Sequence, residues 1–543
     1  MAVIKIPRKQ FEREMGKLDE KMQNRIAMFG TTLESFDEKE IELEIFPDRP
    51  DMLSYSGFKR AFLGFLGRKK GLIEYKINKP EKNYQVIIDS SVKKVRPYTA
   101  CAIVKKLNLN DEKIKELIDI QEKLHTTLGR NRKKVAIGIY PLEKIKLPII
   151  YKALEPDRIK FQPLESEREM SGLQILQKHP IGRDYAHLLS GKEKFPIFVD
   201  SNKNILSMPP IINSHLTGKI TENTKEIFIE CSGFDLKILN KCLNIILSSL
   251  ADMGGEIYSM ELKYKKKIIT PNFHPEKRKI SLENTNKLLG INLSEKELKN
   301  LLEKMGYNYS RELVEIPAWR TDILHEVDLI EDIAIAYGYE NFIPEIPKVS
   351  TIGQEDKKEI IKRKISEILI GLNLLETSNY HLTNKRNQFK NMGLSERQEN
   401  NYLEVEESKT EYDILRKNLS SYLMKVLSNN VDSEYPQRIF EIGTVFSPEE
   451  SENLAIALAP GNFTEIRQIL EYLFRMLDLR ISLKEVEEFP AYFIEGRVGE
   501  IYFNDKPIGF IGEIHPKILK NWRIKMPVAL LEIDLDEIFK KLD

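Results

Sequence analysis

Short runs rich in apolar and β-branched residues alternate with capped helical stretches through most of the chain, and this alternation limits the folds open to it. QVIID, ACAIV, KVAIGIY, FPIFVD and EIFIECSG read as strands, while EKIKELIDIQEKLHTTLG and DLKILNKCLNIILSSLADMG read as helices between them. Together they predict an α+β domain over 86–264. A second region opens with the helical EDKKEIIKRKISEILIGL and continues through RIFEIGTVF, AIALAP, GRVGEIYF, KPIGFIGEI and VALLEIDL. Strand-rich segments interleaved with helices predict a further α+β domain with a mainly antiparallel sheet over 348–543. A chain of 543 residues exceeds what one hydrophobic core supports, so an α+β multidomain protein is expected.

Two smaller modules complete the division. The N-terminal α+β module, 1–85, opens with the strand-like AVIKI. In IELEIFPDRPDMLSYSGFKRAFLGFLG an alternating strand then feeds a polar turn and a helix. Ser54 caps that helix, Phe58, Phe62, Leu63 and Leu66 recur at helical spacing, and Gly67 closes it. The turn-prone GRKKG and INKPEKN place a boundary near residue 80. Lys265 to Lys267, followed by Pro271 and Pro275, read as a linker into a central unit over 265–347. There SLENTNKLLG and SEKELKNLLEKMG each start with a capping serine and end at glycine.

Composition excludes several classes of function. With 41% hydrophobic and 31% charged residues the chain is globular in type. Its 84 basic residues nearly cancel 83 acidic ones, leaving +1, so any RNA contact must come from local patches. Cys101, Cys231 and Cys242 form no C-x-x-C pair, which argues against thiolate zinc and a disulfide framework and for a reducing cytoplasm. MAVIKIPRKQFEREM turns charged before signal-peptide length, and no run of about eighteen apolar residues occurs, so neither export nor a membrane span is expected. No G-x-G, G-K-[ST], G-x-S-x-G or H-E-x-x-H occurs, so the usual phosphate loops, the serine elbow and that zinc motif are absent.

The most pointed local pattern is PAWRTDILHEVDLIEDIAIAYGYE. If a helix begins just after Asp322, then Asp328, Glu331 and Asp332 fall at i, i+3 and i+4 on one arc. Asp322 can fold back as a fourth oxygen donor. Val327, Ile330, Ala334 and Tyr337 would then face a core, and Gly338 would end the helix. Like charges at this spacing repel by roughly a few tenths of a kcal/mol per pair. An all-oxygen set suits a hard cation, with magnesium and its retained waters the natural choice. The other reading is that acids near a helix N-terminus complement its dipole, worth about 0.3 to 1 kcal/mol each. In that reading Arg320, after Trp319, pairs with one of the carboxylates, and spacing alone leaves both readings open.

PAWRTDILHEVDLIEDIAIAYGYE together with FPDRPDMLSYSGFKRAF and RIFEIGTVF resembles the beta subunit family of phenylalanyl-tRNA synthetases, in the shorter archaeal and eukaryotic-type form. The resemblance runs in order through essentially the whole chain. It implies an editing domain at 86–264, a winged-helix-like central unit, and a class II synthetase-like domain at 348–543 that lacks an active site. It implies Mg2+ on Asp322, Asp328, Glu331 and Asp332. It also implies an α2β2 heterotetramer with an alpha subunit that uses ATP to attach phenylalanine to its tRNA. Arg438 and Glu441 echo the Arg and Glu that grip ATP in active relatives, but the glycine-rich third motif is missing. Arg438 is therefore expected in a structural ion pair.

NILSMPPIINSHLTGKITENTKEIFIECSGFD resembles the family's editing domain, which implies hydrolysis of tyrosine mischarged onto the phenylalanine tRNA. Candidate pocket residues are Pro209, Asn213, Ser214, Glu230 and His125. Met208 to Pro210 are expected to fix an extended backbone. Glu230 suits either recognition of the phenol or orientation of a water, and it stands where relatives often place aspartate. His125 reads alternatively as a helix C-terminal residue complementing the dipole. In LHTTLGRNRKKVAIGIYPLEKI the cations Arg130, Arg132, Lys133 and Lys134 are candidates for phosphate contact, against the plainer reading of a solvated turn. Two rival readings accompany this one: a tRNA-binding assembly subunit with an inactive pocket, and a free-standing magnesium-dependent nucleic-acid enzyme.

Overall fold

The computed structural model describes residues 2–346, 352–395, 402–406 and 408–542. The chain divides into two compact units, Met1–Glu345 and Ile346–Asp543. The boundary expected at 347/348 lies outside the described residues.

The first unit starts with a three-stranded antiparallel sheet in which Glu40–Ile45 lies between Ala2–Pro7 and Thr32–Phe36. Alternation puts Ile4, Ile6, Ile41, Leu43 and Ile45 on one buried face. The helix Tyr55–Phe65 forms as expected, with Ser54 Oγ accepting from the Gly57 N–H at 3.0 Å. Phe58, Phe62 and Phe65 are buried along one stripe and pack around Phe29 at ring separations of 6.2, 5.5 and 5.0 Å. Each such ring contributes about 1.5–3 kcal/mol of burial.

An eleven-stranded sheet follows. Its main path runs Ile212–Asn213, Ile205–Met208, Phe195–Val199, Ile149–Leu154, Gln85–Ile88, Glu256–Lys263, Tyr98–Lys105, Ile227–Gly233, Val135–Pro141. The helices Asp111–Thr126 and Leu236–Asp252 bring their apolar residues into one cluster with Ala100, Ile137 and Ile229, while Tyr140, Tyr151, Phe198 and Phe228 form another. The segment read as a linker is instead the turn of a hairpin, because Lys267–Thr270 pairs with Met260–Lys263 in register. Ile77–Asn78, in the stretch read as a boundary, also pairs onto this sheet.

Helix Leu236–Asp252 ties the expected modules together. Its Asp252 pairs with Arg60 at 2.5 Å, Asn244 donates to the carbonyls of Asn272 and Ala318, and Lys241 donates to the Arg320 carbonyl. One hydrophobic cluster accordingly runs from Ile4 to Ala336. The central part holds a small antiparallel sheet, Glu276–Lys279, Leu313–Ile316 and Asn308–Ser310, and the helices Leu282–Leu289 and Glu295–Lys304 with their serine caps in place.

The acidic helix spans Glu326–Tyr337, starting one turn later than expected. Asp328 accepts from the backbone N–H groups of Leu324 and His325, both at 2.7 Å, which fixes the helix start there. The core face is Leu329, Ile330, Ile333, Ala334 and Ala336, so Ile330 and Ala334 lie inside as expected, whereas Val327, also expected inside, is 53% exposed.

The second unit is built on a seven-stranded sheet, in order Leu375–Glu376, Gln437–Phe446, Glu450–Ala459, Ala529–Asp534, Lys506–Ile514, Phe493–Phe503, Ser482–Lys484. Every pairing is antiparallel except the parallel first one. Helices Lys357–Gly371, Phe463–Met476 and Asp536–Leu542 cluster with one set of strand side chains. Helices Ser420–Asn429 and Pro516–Asn521, with Tyr492, Phe493 and Trp522, cluster with the other.

Candidate functional site

A cavity of about 850 Å³ opens in the first unit, between the end of helix Asp111–Thr126, the strands Val135–Pro141 and Ile227–Gly233, and the hairpin around Pro209. Pro209, Asn213, Glu230, His125 and Arg132 all line it, together with apolar Ile137, Ile139, Ile211 and Ile212. Among the expected residues Ser214 does not: it is buried, and its N–H is bonded to the Leu206 carbonyl at 2.7 Å. Nor is Met208–Pro210 an extended run. Met208 pairs with Ile212, and the Ile211 N–H returns to the Met208 carbonyl, so the prolines form a hairpin turn at the cavity edge.

Glu230 lies in the middle of a wholly buried strand, opposite Gly138 on one side and Cys101 on the other, and is 1% exposed. Its Oε1 accepts from the Tyr140 hydroxyl at 3.4 Å, and its Oε2 has no hydrogen-bond partner among the described residues. Burial pushes its pKa up to about 8, against an opposing pull from Arg96. Gly138 makes the arrangement fit, since a Cβ there would stand 2.1 Å from the Tyr140 hydroxyl oxygen and 2.6 Å from Glu230 Oε1.

His125 is committed at both nitrogens. Nε2 accepts from the Ile137 N–H at 2.8 Å, which leaves the ring proton on Nδ1, 3.2 Å from Glu122. Burial also lowers its pKa, so the neutral ring is a structural cap and not a free base. Arg132, a candidate for phosphate contact, is likewise engaged. It donates to the Ile211 carbonyl at 2.8 Å, pairs with Glu122 at 3.1 Å and lies over the Tyr185 ring. Arg130, Asn131 and Arg132 follow one another with φ of 47°, 51° and 65°, a left-handed turn of three non-glycine residues. Buried Arg96 stabilises it by donating to the carbonyls of Arg132, Lys133 and Ser232. Arg130, Lys133 and Lys134 are exposed and outside the cavity lining.

The second candidate is the acidic helix. Arg320 donates to both oxygens of Asp322, at 2.8 and 2.6 Å, and to Asp332 at 2.8 Å, and Tyr307 also bonds Asp332. Burial pulls the Asp322 pKa upward, but Arg320 outweighs it and holds it at about 2. Glu331 has no hydrogen bond or ion pair among the described residues. Its pKa is raised by burial and by Asp332, Asp48, Asp328 and Asp322, so all four expected residues converge on one patch, with Asp48 added. Among the described residues no three acid, histidine or cysteine side chains stand in ready-made ligand geometry. Arg320 and the Asp328 cap account for this. The chemistry of the set, oxygens only with Glu331 unneutralised, nonetheless fits a hard cation.

Three family models match the chain: a B3/4 domain at residues 82–253, a tRNA synthetase B5 domain at 278–339, and a phenylalanyl tRNA synthetase beta chain CLM domain at 343–535. The phenylalanine–tRNA ligase beta subunit of Thermococcus sibiricus is 40% identical over 509 residues, 91% of this chain and 90% of the relative. That of Archaeoglobus fulgidus is 38% identical over 548 residues, covering 99% of each. The chain belongs to the phenylalanine–tRNA ligase beta subunit family. An N-terminal fragment of the phenylalanyl-tRNA synthetase beta subunit from Pyrococcus horikoshii superposes with a TM-score of 0.59 at 38% identity, covering 62% of this chain and 99% of the fragment.

The chain also bears the motif residues Arg438 and Glu441, and both are engaged by its own side chains, Arg438 half-buried and Glu441 buried. Arg438 pairs with Glu465. Glu441 is buried, receives Arg416 at 2.6 Å and is bonded by Asn379 through both N–H and Nδ2. The N–H groups of Leu419 and Ser420, at the start of a helix where an anion could bind, are taken by the chain's own Glu532 at 2.9 and 2.8 Å. Sequence reasoning passed over Tyr140, Gly138, Arg96 and Asp48. The i, i+2 placement of Gly138 and Tyr140 in KVAIGIY puts them on one strand face, but only the pairing with Ile227–Gly233 brings Glu230 beside them.

Proposed function

We propose that this chain scaffolds the alpha subunit of a phenylalanine–tRNA ligase in an α2β2 heterotetramer and carries its own hydrolytic proofreading site for tyrosyl-tRNA. In this reading 86–264 is the editing domain, 265–347 a winged-helix-like magnesium-binding unit, and 348–543 a class II-like domain without an aminoacylation site, after an N-terminal module at 1–85. The alpha subunit handles ATP and phenylalanine in the cytoplasm. The engagement of Glu441, Arg438 and the Leu419–Ser420 amides by the chain's own side chains supports that division of labour.

One observation carries the editing role: a buried carboxyl oxygen, Glu230 Oε2, stands without a partner among the described residues, in a residue that lines a cavity of mixed polar and apolar walls. An apolar pocket rejects an added hydroxyl by only about a hundredfold, so a synthetic site for phenylalanine admits some tyrosine. A second pocket with a buried polar group works in the opposite sense. Phenylalanine leaves the carboxyl unpaired, and tyrosine satisfies it. Because burial holds Glu230 at about 8, the carboxyl near neutral pH exchanges between a form that donates and one that only accepts, and a phenol complements either. Glu230 thus reads the side chain. Water then adds to the ester carbonyl, and the bond to the ribose oxygen breaks, with that oxygen leaving protonated.

Arg130, Lys133 and Lys134 are positioned to meet the tRNA backbone as sequence-blind cations, whereas Arg132 shapes the cavity. Mg2+ would be held by Asp322, Asp328, Glu331 and Asp332, where it supplies charge neutralisation and no catalysis. The reading in which the pocket is inactive draws on His125, whose engaged nitrogens leave it without a free base.

Co-expression with the alpha subunit, followed by assays of phenylalanine charging and of tyrosyl-tRNA deacylation, tests this reading. Charging only when both chains are present, with release of tyrosine from the phenylalanine tRNA, is the expected result. Charging by this chain alone would overturn it, and charging without tyrosine release would leave the assembly-only subunit.

A further inference from the structure

We infer that Tyr140 is a positioning residue for tyrosine discrimination, one that fixes the rotamer of Glu230 and joins it to the opposite wall of the cavity. The inference rests on the proofreading reading above and adds a residue to it. Tyr140 is fully buried on Val135–Pro141, the strand paired with Ile227–Gly233, and its hydroxyl stands 3.4 Å from Glu230 Oε1 and 3.4 Å from Asn213 Oδ1. Glu230 belongs to the core strand and Asn213 to the far hairpin of the same sheet, so one hydroxyl spans the two sides of the site. It has a single proton for two acceptors, and an incoming phenol can supply what it cannot.

The ring is seated across Gly138, where any Cβ would collide with both the Tyr140 hydroxyl oxygen and Glu230 Oε1. Stacking of Tyr140 on Phe228, at 5.8 Å between centroids, holds the ring plane from the other side. With Oε1 held by Tyr140, it is Oε2 that is left for a ligand. Without the hydroxyl, Glu230 loses the hydrogen bond that orients Oε1 toward the cavity wall.

The test uses the assembled alpha and beta chains with Tyr140→Phe, which keeps the ring. Expected is about a tenfold fall in kcat/KM for tyrosyl release from the phenylalanine tRNA, the size of one hydrogen bond, with unchanged phenylalanine charging and thermal midpoint. Tyr140 normally lowers the Glu230 pKa through this bond, so the pH profile of release shifts to higher pH in the variant. A Tyr140→Phe enzyme that matches the parent in release and pH profile overturns the inference alone. A parent that releases no tyrosine overturns the proofreading reading and this inference together. Should Tyr140→Phe lower the thermal midpoint, Glu230→Leu supplies the second measurement. If Tyr140 acts through Glu230, the double variant releases tyrosine no more slowly than Glu230→Leu alone, and additive losses refute it.

Discussion

Glu230 in the first unit and Glu441 in the second are both buried strand carboxylates in mixed α/β domains, yet their surroundings are opposite. Glu441 has a bidentate set of donors, Arg416 and Asn379, and Arg416 is itself bonded to the carbonyls of Thr444 and Asn379. Glu230 Oε1 is bonded only weakly by Tyr140, and Oε2 has no partner among the described residues. A buried charge with every valence met is part of the scaffold. A buried carboxyl left half-met, facing a cavity, is poised for something that arrives. The contrast is why the proposed proofreading site is assigned to the first unit and not to the second.

The contrast breaks most visibly if Arg416 is removed. Arg416→Met leaves Glu441 buried without a counter-charge, and the second unit is expected to lose about 3–5 kcal/mol of stability, read as a denaturant midpoint. Glu230→Leu should do the reverse, holding or raising stability because it removes a poorly paired buried carboxyl, while tyrosyl release falls about 10- to 100-fold. Equal stability losses in the two variants would erase the distinction.

Much of this architecture could be read from spacing. Ser54, Ser281 and Ser294 cap helices as expected, because a cap depends on residues three or four positions away. Strands such as KVAIGIY and EIFIECSG announce themselves by composition. What spacing could not supply is register between distant strands, and Glu230 acquires its meaning from Gly138 and Tyr140, some ninety positions earlier. At the acidic helix the expectation differed from the structure in where the helix starts and in what Arg320 binds. Its periodicity was sound, but the Asp328 carboxylate moved the start by a turn, and Arg320, identified only as a possible partner, proved to bind two of the four acids at once.

The pH dependence of stability sharpens the comparison at smaller scale. Glu230 titrates near 8 in the folded chain against an ordinary carboxyl value of 4.5, so the folded state binds its proton more tightly. That contribution is fully present below about pH 4.5 and is lost as pH rises to about 8. The difference in thermal midpoint between Glu230→Leu and the parent should therefore grow in the variant's favour from acid to mildly alkaline buffer. A flat difference would mean that Glu230 is not buried as described. Asp328→Asn keeps an accepting oxygen but removes the negative charge at the helix N-terminus, worth about 0.3 to 1 kcal/mol, so it is expected to lower the midpoint by at most a few degrees and to remove any rise on adding magnesium. A variant that keeps the parent's magnesium response would detach the ion from this helix.

The smallest expected effect separates two neighbouring arginines. Arg130 is exposed, whereas Arg132 is locked between Ile211, Glu122 and Tyr185. Arg130→Gln should weaken tRNA binding by less than tenfold and lower the slope of log affinity against log salt by about one, the mark of a lost phosphate contact. Arg132→Gln should leave that slope alone and reduce tyrosyl release, because the turn it braces forms one wall of the cavity. A salt slope that changes with Arg132 and not with Arg130 would mean that the strained turn opens when RNA binds, and the division between wall and rim would have to be redrawn.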